Sequence, residues 1–474
     1  MPILGSSPPY ELAACFFEDF KSYRSATLPL RPLTLLIGAN ASGKSNLLEG
    51  IRFLSLLSQG RRIDEVWRVT HDTDIAIRGA RPQALFRADA SFLTLGCELR
   101  RKDGKGASLV FSSTIGFATE PGGGTGLRVH QERLEEGDRW LYRVSQPAER
   151  SVGITVEYNN FSRGGKKPRL TLSNDQALFV QLQGPQVFSA RHWESQQDIP
   201  AAARGLRDLL SNIQFLDPVP SAMRGGSFPS DDRLREDGRN VSAVLANLCS
   251  SPDRKQQVLE FVRSLPEQDI RDIAFVKGAR GDVLVVLEES FGGRSQLYDA
   301  TQLSDGTLRA LAIIAALLSV PEGTLLVVEE IDNGLHPSRA KHLLTHIDQL
   351  ARARGHRVLI TTHNPALVDA VPLSAVPDIV LCYRDAKEGD SRLIRLDELP
   401  DYPALIGQHS IGELMTSGQL ELATKWMAET PASHQAQASS FVEQFLAEVA
   451  ARDASVSPAD GADSGAGAKK KSEP

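Results

Sequence analysis

Leu33-Thr-Leu-Leu-Ile-Gly-Ala-Asn-Ala-Ser-Gly-Lys-Ser45 decides the reading of this chain. Residues 33–37 form a short apolar run that stops at Gly38, the pattern of a strand buried on both faces. Residues 38–45 then match GxxxxGK[ST]. In this motif the glycines let the backbone curl until its N–H groups face phosphate oxygens. From Gly43 to about residue 58, Leu47, Leu48, Ile51, Leu54 and Leu57 recur at helical spacing. The N-terminus of that helix adds its positive dipole end to the loop. Strand, loop and helix together are the context the motif requires, so Gly38, Ala39, Asn40, Ala41, Ser42, Gly43, Lys44, Ser45 and Asn46 are the expected phosphate cradle. Lys44 is expected to reach the outer phosphates and Ser45 to ligate Mg²⁺.

Three further stretches fit a phosphate site. Leu325-Leu-Val-Val-Glu-Glu330 is an apolar strand ending in two carboxylates. A buried strand delivers its C-terminal residues to the crevice where ligands bind. Glu329 is assigned to the metal side and Glu330 to a water aimed at the terminal phosphate. Thr361-Thr-His-Asn-Pro365 closes another apolar strand and brings His363 to the same sheet edge. Leu303-Ser-Asp-Gly-Thr-Leu-Arg309 precedes a long apolar helix, with Ser304 as its N-cap and Gly306 keeping the turn open. A helix end of this kind is also a ready anion site.

The 474 residues allow roughly three domain-sized units. Hydrophobic content of 41% and charged content of 24% exclude wholesale disorder and collagen-like repeats. Cys15, Cys97, Cys249 and Cys382 lie far apart with no CxxC pair, which fits neither a zinc framework nor a secreted disulfide set. The longest apolar run is too short to span a bilayer, and Glu11, Glu18 and Asp19 stand where a signal peptide needs basic then apolar residues. A cytoplasmic protein without a membrane partner is expected. The net charge of −6 argues against a uniformly basic nucleic-acid coat.

From about 90 to 175 the period changes to two, with turn formers between the runs, which predicts an antiparallel meander. Residues 200–265 turn helical, with starts near Ala201 and Asn240, and 270–300 read as a hairpin region. Residues 305–385 alternate helix and strand, with strands expected at 324–329, 357–361 and 378–383, which indicates a parallel sheet.

In this order, P-loop, long insertion, Leu-Ser-Asp-Gly, acidic strand and Thr-His, the chain resembles the ABC-type ATPase heads of the SMC, RecF and OLD-like group. It is most similar to compact bacterial ATPases of the AAA type without a nuclease domain, through Phe215-Leu-Asp-Pro-Val-Pro-Ser-Ala-Met-Arg224, Leu234-Arg-Glu-Asp-Gly238, Glu329-Glu-Ile-Asp-Asn-Gly-Leu-His-Pro337 and Ser410-Ile-Gly-Glu-Leu414. The resemblance implies an α/β P-loop NTPase of the ABC-type head, with a mostly parallel core sheet, an antiparallel β subdomain and a helical insertion. Residues 1–90 would carry the P-loop, 91–200 the β insertion, 201–268 the helical insertion, and 269–431 the signature, acidic strand and switch histidine, with 452–474 a disordered tail.

The resemblance also implies ATP and Mg²⁺ as ligands, hydrolysis of ATP, and an ATP-dependent homodimer. In such a dimer Ser304, Asp305 and Gly306 of one copy would face the γ-phosphate held by the other, His363 would be the switch histidine, and Asp332 would communicate across the dimer. Three departures stand out: Asp305 where transporter-type heads have Gly, Thr307 where Gln is frequent, and Glu329 where the metal-side residue is usually Asp. The longer Glu329 side chain shifts the metal shell, so slow turnover is expected. The target is either DNA, through basic clusters at Arg61-Arg62, Arg100–Lys105 and Arg163–Arg169, or an effector protein such as a nuclease encoded nearby, in genome maintenance or defence against phage. A transporter ATPase and a small-molecule kinase fit the pattern less well.

Overall fold

Five consecutive residues with no exposed face, Leu33–Ile37, are the centre of the molecule. In this computed structural model they form β3, and alternation sends Leu36 to one core while Leu33, Leu35 and Ile37 enter another. The structure describes residues 9–65, 82–104, 106–119, 125–146, 153–264, 269–291, 294–331, 337–399, 402, 407 and 409–429. Asp332 and the expected tail lie outside them.

β3 sits fourth in a six-stranded sheet, between β15 (Arg357–Thr361) and β16 (Ile379–Arg384). Beyond β15 come β14 (Leu325–Val328) and then β10 (Gln214–Leu216), all paired in parallel. β17 (Ser391–Arg395) closes the other edge, antiparallel to β16. The same two-faced alternation runs through the neighbours. Val327, Leu359 and Val380 face the core of β3's Leu36, while Val328, Ile360 and Leu381 face the second core. The sheet is therefore a wall between two apolar layers, as parallel sheets require.

On the first face lie α1 (Lys44–Ser58), α2 (Trp193–Ser211) and a second sheet. That sheet has eight strands in the order β2-β1-β4-β5-β6-β7-β8-β9, every pair antiparallel. Its meander runs from β4 (Phe92–Arg101) through β5 (Leu109–Thr119), β6 (Thr125–Glu136), β7 (Arg139–Gln146) and β8 (Gly153–Tyr158) to β9 (Arg169–Ser173). The sheet crosses the expected boundary at residue 90, because β1 (Tyr10–Phe20) and β2 (Tyr23–Pro29) form its far edge. Pairing with β4 gives β1 a second partner and leaves only β2 as an edge there. A further difference is α2, which begins at Trp193 and not near Ala201; Pro200 lies within it.

On the second face lie α3 (Val241–Leu248), α4 (Pro252–Arg263), α5 (Asp305–Ser319) and α6 (Pro337–Arg354). A small antiparallel sheet of β11 (Ile270–Lys277), β12 (Val283–Phe291) and β13 (Arg294–Asp299) joins them, so the 270–300 region has three strands. Its link to α3 is specific: the Val285 N–H donates to the Ser242 hydroxyl at 3.1 Å. The four cysteines are free thiols. Among the described residues no helix is long and apolar enough to cross a membrane.

Candidate nucleotide site

The loop after β3 can take its shape only with glycine at two positions. Gly38 has φ +147°, and a Cβ there would stand 2.2 Å from the carbonyl oxygen of Cys382. Gly43 has φ +123°, and a Cβ there would meet the Ser391 hydroxyl at 2.3 Å. Backbone and strand are thus too close for any side chain. The loop is braced from below by side chains of distant segments. Tyr23 donates its hydroxyl to the Gly43 carbonyl at 3.1 Å, and Ser391 donates to the Ser42 carbonyl at 2.6 Å. The Asn46 amide donates to the Ser22 hydroxyl at 2.8 Å, so the first turn of α1 is tied to the same floor.

Lys44 lies across the loop mouth, donating to the carbonyls of Gly38 at 2.5 Å and Ala39 at 3.0 Å. Burial lowers its amine from the usual lysine range, against the raising pull of Cys382 and Glu330.

Four neighbouring strands end at this edge, and each delivers polar residues to one cleft of about 280 Å³. β3 delivers the loop residues 40–46, β14 delivers Glu329 and Glu330, β15 delivers Thr361, Thr362 and His363, and β16 delivers Arg384. Glu330 holds a left-handed backbone conformation with φ +45°, which is strained for a residue with a side chain. Its N–H donates to the Thr361 hydroxyl at 3.1 Å, so the bend is fixed by the adjacent strand. The Glu329 N–H donates to the Leu216 carbonyl at 2.9 Å, fixing it from the other side.

The oxygen donors suit a magnesium ion bound together with phosphates. Ser45 and Glu329 are the two expected ligands and both line the cleft. Among the described residues no group of three His, Cys, Asp or Glu side chains offers a complete metal cage. Mg²⁺ commonly takes one or two protein ligands and completes its shell with phosphate oxygens and water.

Ser304, Asp305 and Gly306 are not part of the cleft wall. Ser304 caps α5, its hydroxyl accepting from the Thr307 N–H at 3.1 Å. Ser304 and Asp305 are exposed, while Gly306 is buried. Arg224 clamps the loop before them, donating to the carbonyls of Thr301 at 2.8 Å and Leu303 at 2.9 Å and to the Asp305 carboxylate at 2.6 Å. One copy of the chain therefore brings the P-loop, both glutamates and His363 together, and leaves the signature residues on its surface.

Sequence reasoning missed Arg384, although the signal was present. It closes the apolar strand β16 as Glu330 and His363 follow theirs. Tyr23 and Ser391 carried no such signal, because their contacts with the loop bridge 20 and 349 positions of sequence.

The chain aligns with solved heads of SMC proteins. One is an SMC head bound to the C-winged helix domain of ScpA, at 14% identity, with 81% of this chain and 97% of that chain covered and a TM-score of 0.45. A second is an SMC head with an extended coiled coil bound to the C-terminal domain of ScpA, derived from Pyrococcus furiosus, at 12% identity, 84% and 99% coverage and a TM-score of 0.44. The SMC head from Thermotoga maritima aligns at 11% identity, 81% and 98% coverage and a TM-score of 0.38. No curated protein matches the chain. The family described as "AAA domain, putative AbiEii toxin, Type IV TA system" matches residues 33–80 and 158–369, more than half of the sequence. With its P-loop between β3 and α1, this chain belongs to that family of AAA-type ATPase domains.

Proposed function

We propose that the chain binds ATP with Mg²⁺ at the cleft, hydrolyses it slowly, and uses the cycle as a dimerisation switch. The observation that carries this reading is the convergence of the P-loop, Glu329, Glu330 and His363 on one cleft at one sheet edge. The loop N–H groups and Lys44 hold the β- and γ-phosphates. Ser45 and Glu329 would hold the metal, which supplies charge neutralisation on the phosphate oxygens. Glu330 accepts a proton from a water as its oxygen bonds to the γ-phosphorus and the bond to the bridging oxygen breaks, releasing ADP and phosphate. His363 donates a hydrogen bond to a γ-phosphate oxygen, where charge gathers in the transition state.

The exposed position of Ser304 and Asp305 supports a role toward a second copy. Each copy would complete the other's site with its signature, so ATP closes the dimer and hydrolysis loosens it. The test is the mass of Glu330→Gln by light scattering with and without ATP. A dimer only with ATP is the expected result; a monomer throughout would defeat the switch.

Action on DNA is the first reading and gating of an effector protein the alternative, and charge pairing within the basic clusters weakens the first at several positions. In the basic clusters Arg62 pairs with Asp175, Arg100 with Glu98, Arg101 with Asp103 and Arg169 with Glu157. Lys167 donates to Asn159, Asn160 and the Ser162 carbonyl. Cations engaged in this way release fewer counterions on meeting a phosphate backbone. Salt-dependent binding of duplex DNA to the ATP-bound Glu330→Gln variant would restore the DNA reading.

A further inference from the structure

Arg384 sits on the opposite side of the P-loop from the hydrolytic residues. Along the sheet the order is β14, β15, β3, β16, so the carboxylates and His363 lie toward one flank of the loop and Arg384 toward the other. Neighbouring strands are about 4.8 Å apart. The glutamate strand is thus two spacings from β3 on one side, and the strand of Arg384 is one spacing away on the other.

The side chain is held in place. Its Nε donates to the Ala41 carbonyl of the P-loop at 3.1 Å, and its Nη1 donates to the Gly389 carbonyl at 2.7 Å. Gly389 belongs to the turn between β16 and β17, which is itself closed by the Asp385 N–H donating to the Asp390 carbonyl at 2.8 Å. The other arginines of this region are neutralised. Arg24 pairs with Glu388 and Asp390, Arg87 with Asp390, and Arg392 with Asp385 and Glu388. Among the described residues, by contrast, no carboxylate lies within ion-pair distance of Arg384. Two main-chain carbonyls fix the guanidinium at the lip of the cleft.

A triphosphate laid along the loop with its γ end toward Glu330 and His363 must send its nucleoside end toward β16. We infer that Arg384 binds that end, with its planar guanidinium against the face of the base. A guanidinium attracts a π face electrostatically, and its planarity makes the contact one that lysine does not reproduce. The inference rests on the nucleotide reading of the cleft and adds the contact that separates a nucleotide from a bare phosphate chain.

The test compares ATP, ADP and inorganic tripolyphosphate by calorimetry on the full chain, wild type against Arg384→Ala and Arg384→Lys. Expected is a loss of about tenfold in affinity for ATP and for ADP in both variants. For Arg384→Lys, which keeps the charge, binding of tripolyphosphate should stay at the wild-type level, which also shows that this variant is folded. An equal loss for tripolyphosphate in that variant would make Arg384 a phosphate contact and overturn the inference. Unchanged ATP affinity would overturn it as well. Failure of the nucleotide reading itself has a different signature: the wild type would bind neither ATP nor tripolyphosphate.

Discussion

Arg224 donates to the Asp305 carboxylate at 2.6 Å, and so ties the end of the segment after β10 to the first residue of α5. The same guanidinium also holds the carbonyls of Ala300, Thr301 and Leu303. One side chain therefore sets the conformation of the loop that presents Ser304. As an exposed ion pair the contact adds little to stability. Its effect is on shape. Arg224→Ala should leave ATP affinity within about twofold of wild type and weaken ATP-dependent dimerisation about fivefold, roughly 1 kcal/mol. Sedimentation over a concentration series checks this; a dimer as tight as that of the parent chain would detach Arg224 from assembly.

Lys44 is the cleft's cation nearest the expected β- and γ-phosphates, and it already reaches the Gly38 and Ala39 carbonyls. Removing a charge-assisted donor at such a site costs about 1.5–3 kcal/mol. Lys44→Ala should raise the Kd for ATP about a hundredfold and abolish the thermal shift that ATP confers on the wild type. An unaltered shift would remove Lys44 from the phosphate site.

His363 follows β15 and is exposed at the cleft wall. A donor that acts on charge developing in the transition state affects turnover more than binding. His363→Ala is expected to lower kcat about a hundredfold while the Kd for ATP changes less than about threefold. Losses of similar size in both quantities would make it a binding residue and no more.

Glu132 provides a test remote from the site. It is fully buried and accepts hydrogen bonds from the Tyr142 hydroxyl at 2.8 Å and from the N–H groups of Leu178 and Phe179 at 3.1 and 2.7 Å. Burial raises its pKa from 4.5 to about 7, against those bonds, which lower it. Between these values the folded chain holds a proton that the unfolded chain has released, so stability from this group falls as pH rises. The difference amounts to ~3 kcal/mol. Glu132→Gln removes the ionisation, so urea denaturation from pH 4 to 8 should show the variant gaining on wild type by about that amount. The comparison also cancels the contribution of His356, held neutral by burial with a pKa of about 4, whose stabilisation is lost as pH falls from about 6.5 toward 4. A constant gap between variant and parent would mean Glu132 ionises normally.

The P-loop was legible because three local signals coincide there: a two-faced apolar strand, a spaced glycine pair and a helical stripe. Glu329, Glu330 and His363 were legible for a related reason, since a residue that ends a buried strand must emerge at the sheet edge. Long-range pairing was not legible. Nothing in Tyr10–Phe20 announces that its partner is Phe92–Arg101, because any alternating strand offers the same edge to any other. The start of α2 was missed because Pro200 reads as a boundary, whereas the helix accommodates it about two turns on from Trp193. Side chains that brace the loop, such as Tyr23 and Ser391, act through proximity that only the folded chain creates.

The support that Ser391 gives to Ser42 spans 349 positions. During synthesis, the loop that begins at residue 38 leaves the ribosome long before the segment that completes its floor. Domains generally fold in order from the N-terminus as they are made, but here the earliest motif waits for one of the last strands. A nascent or prematurely terminated product that stops short of β17 lacks the hydroxyl that braces Ser42, so the floor of its loop stays unfinished until most of the polypeptide has been translated.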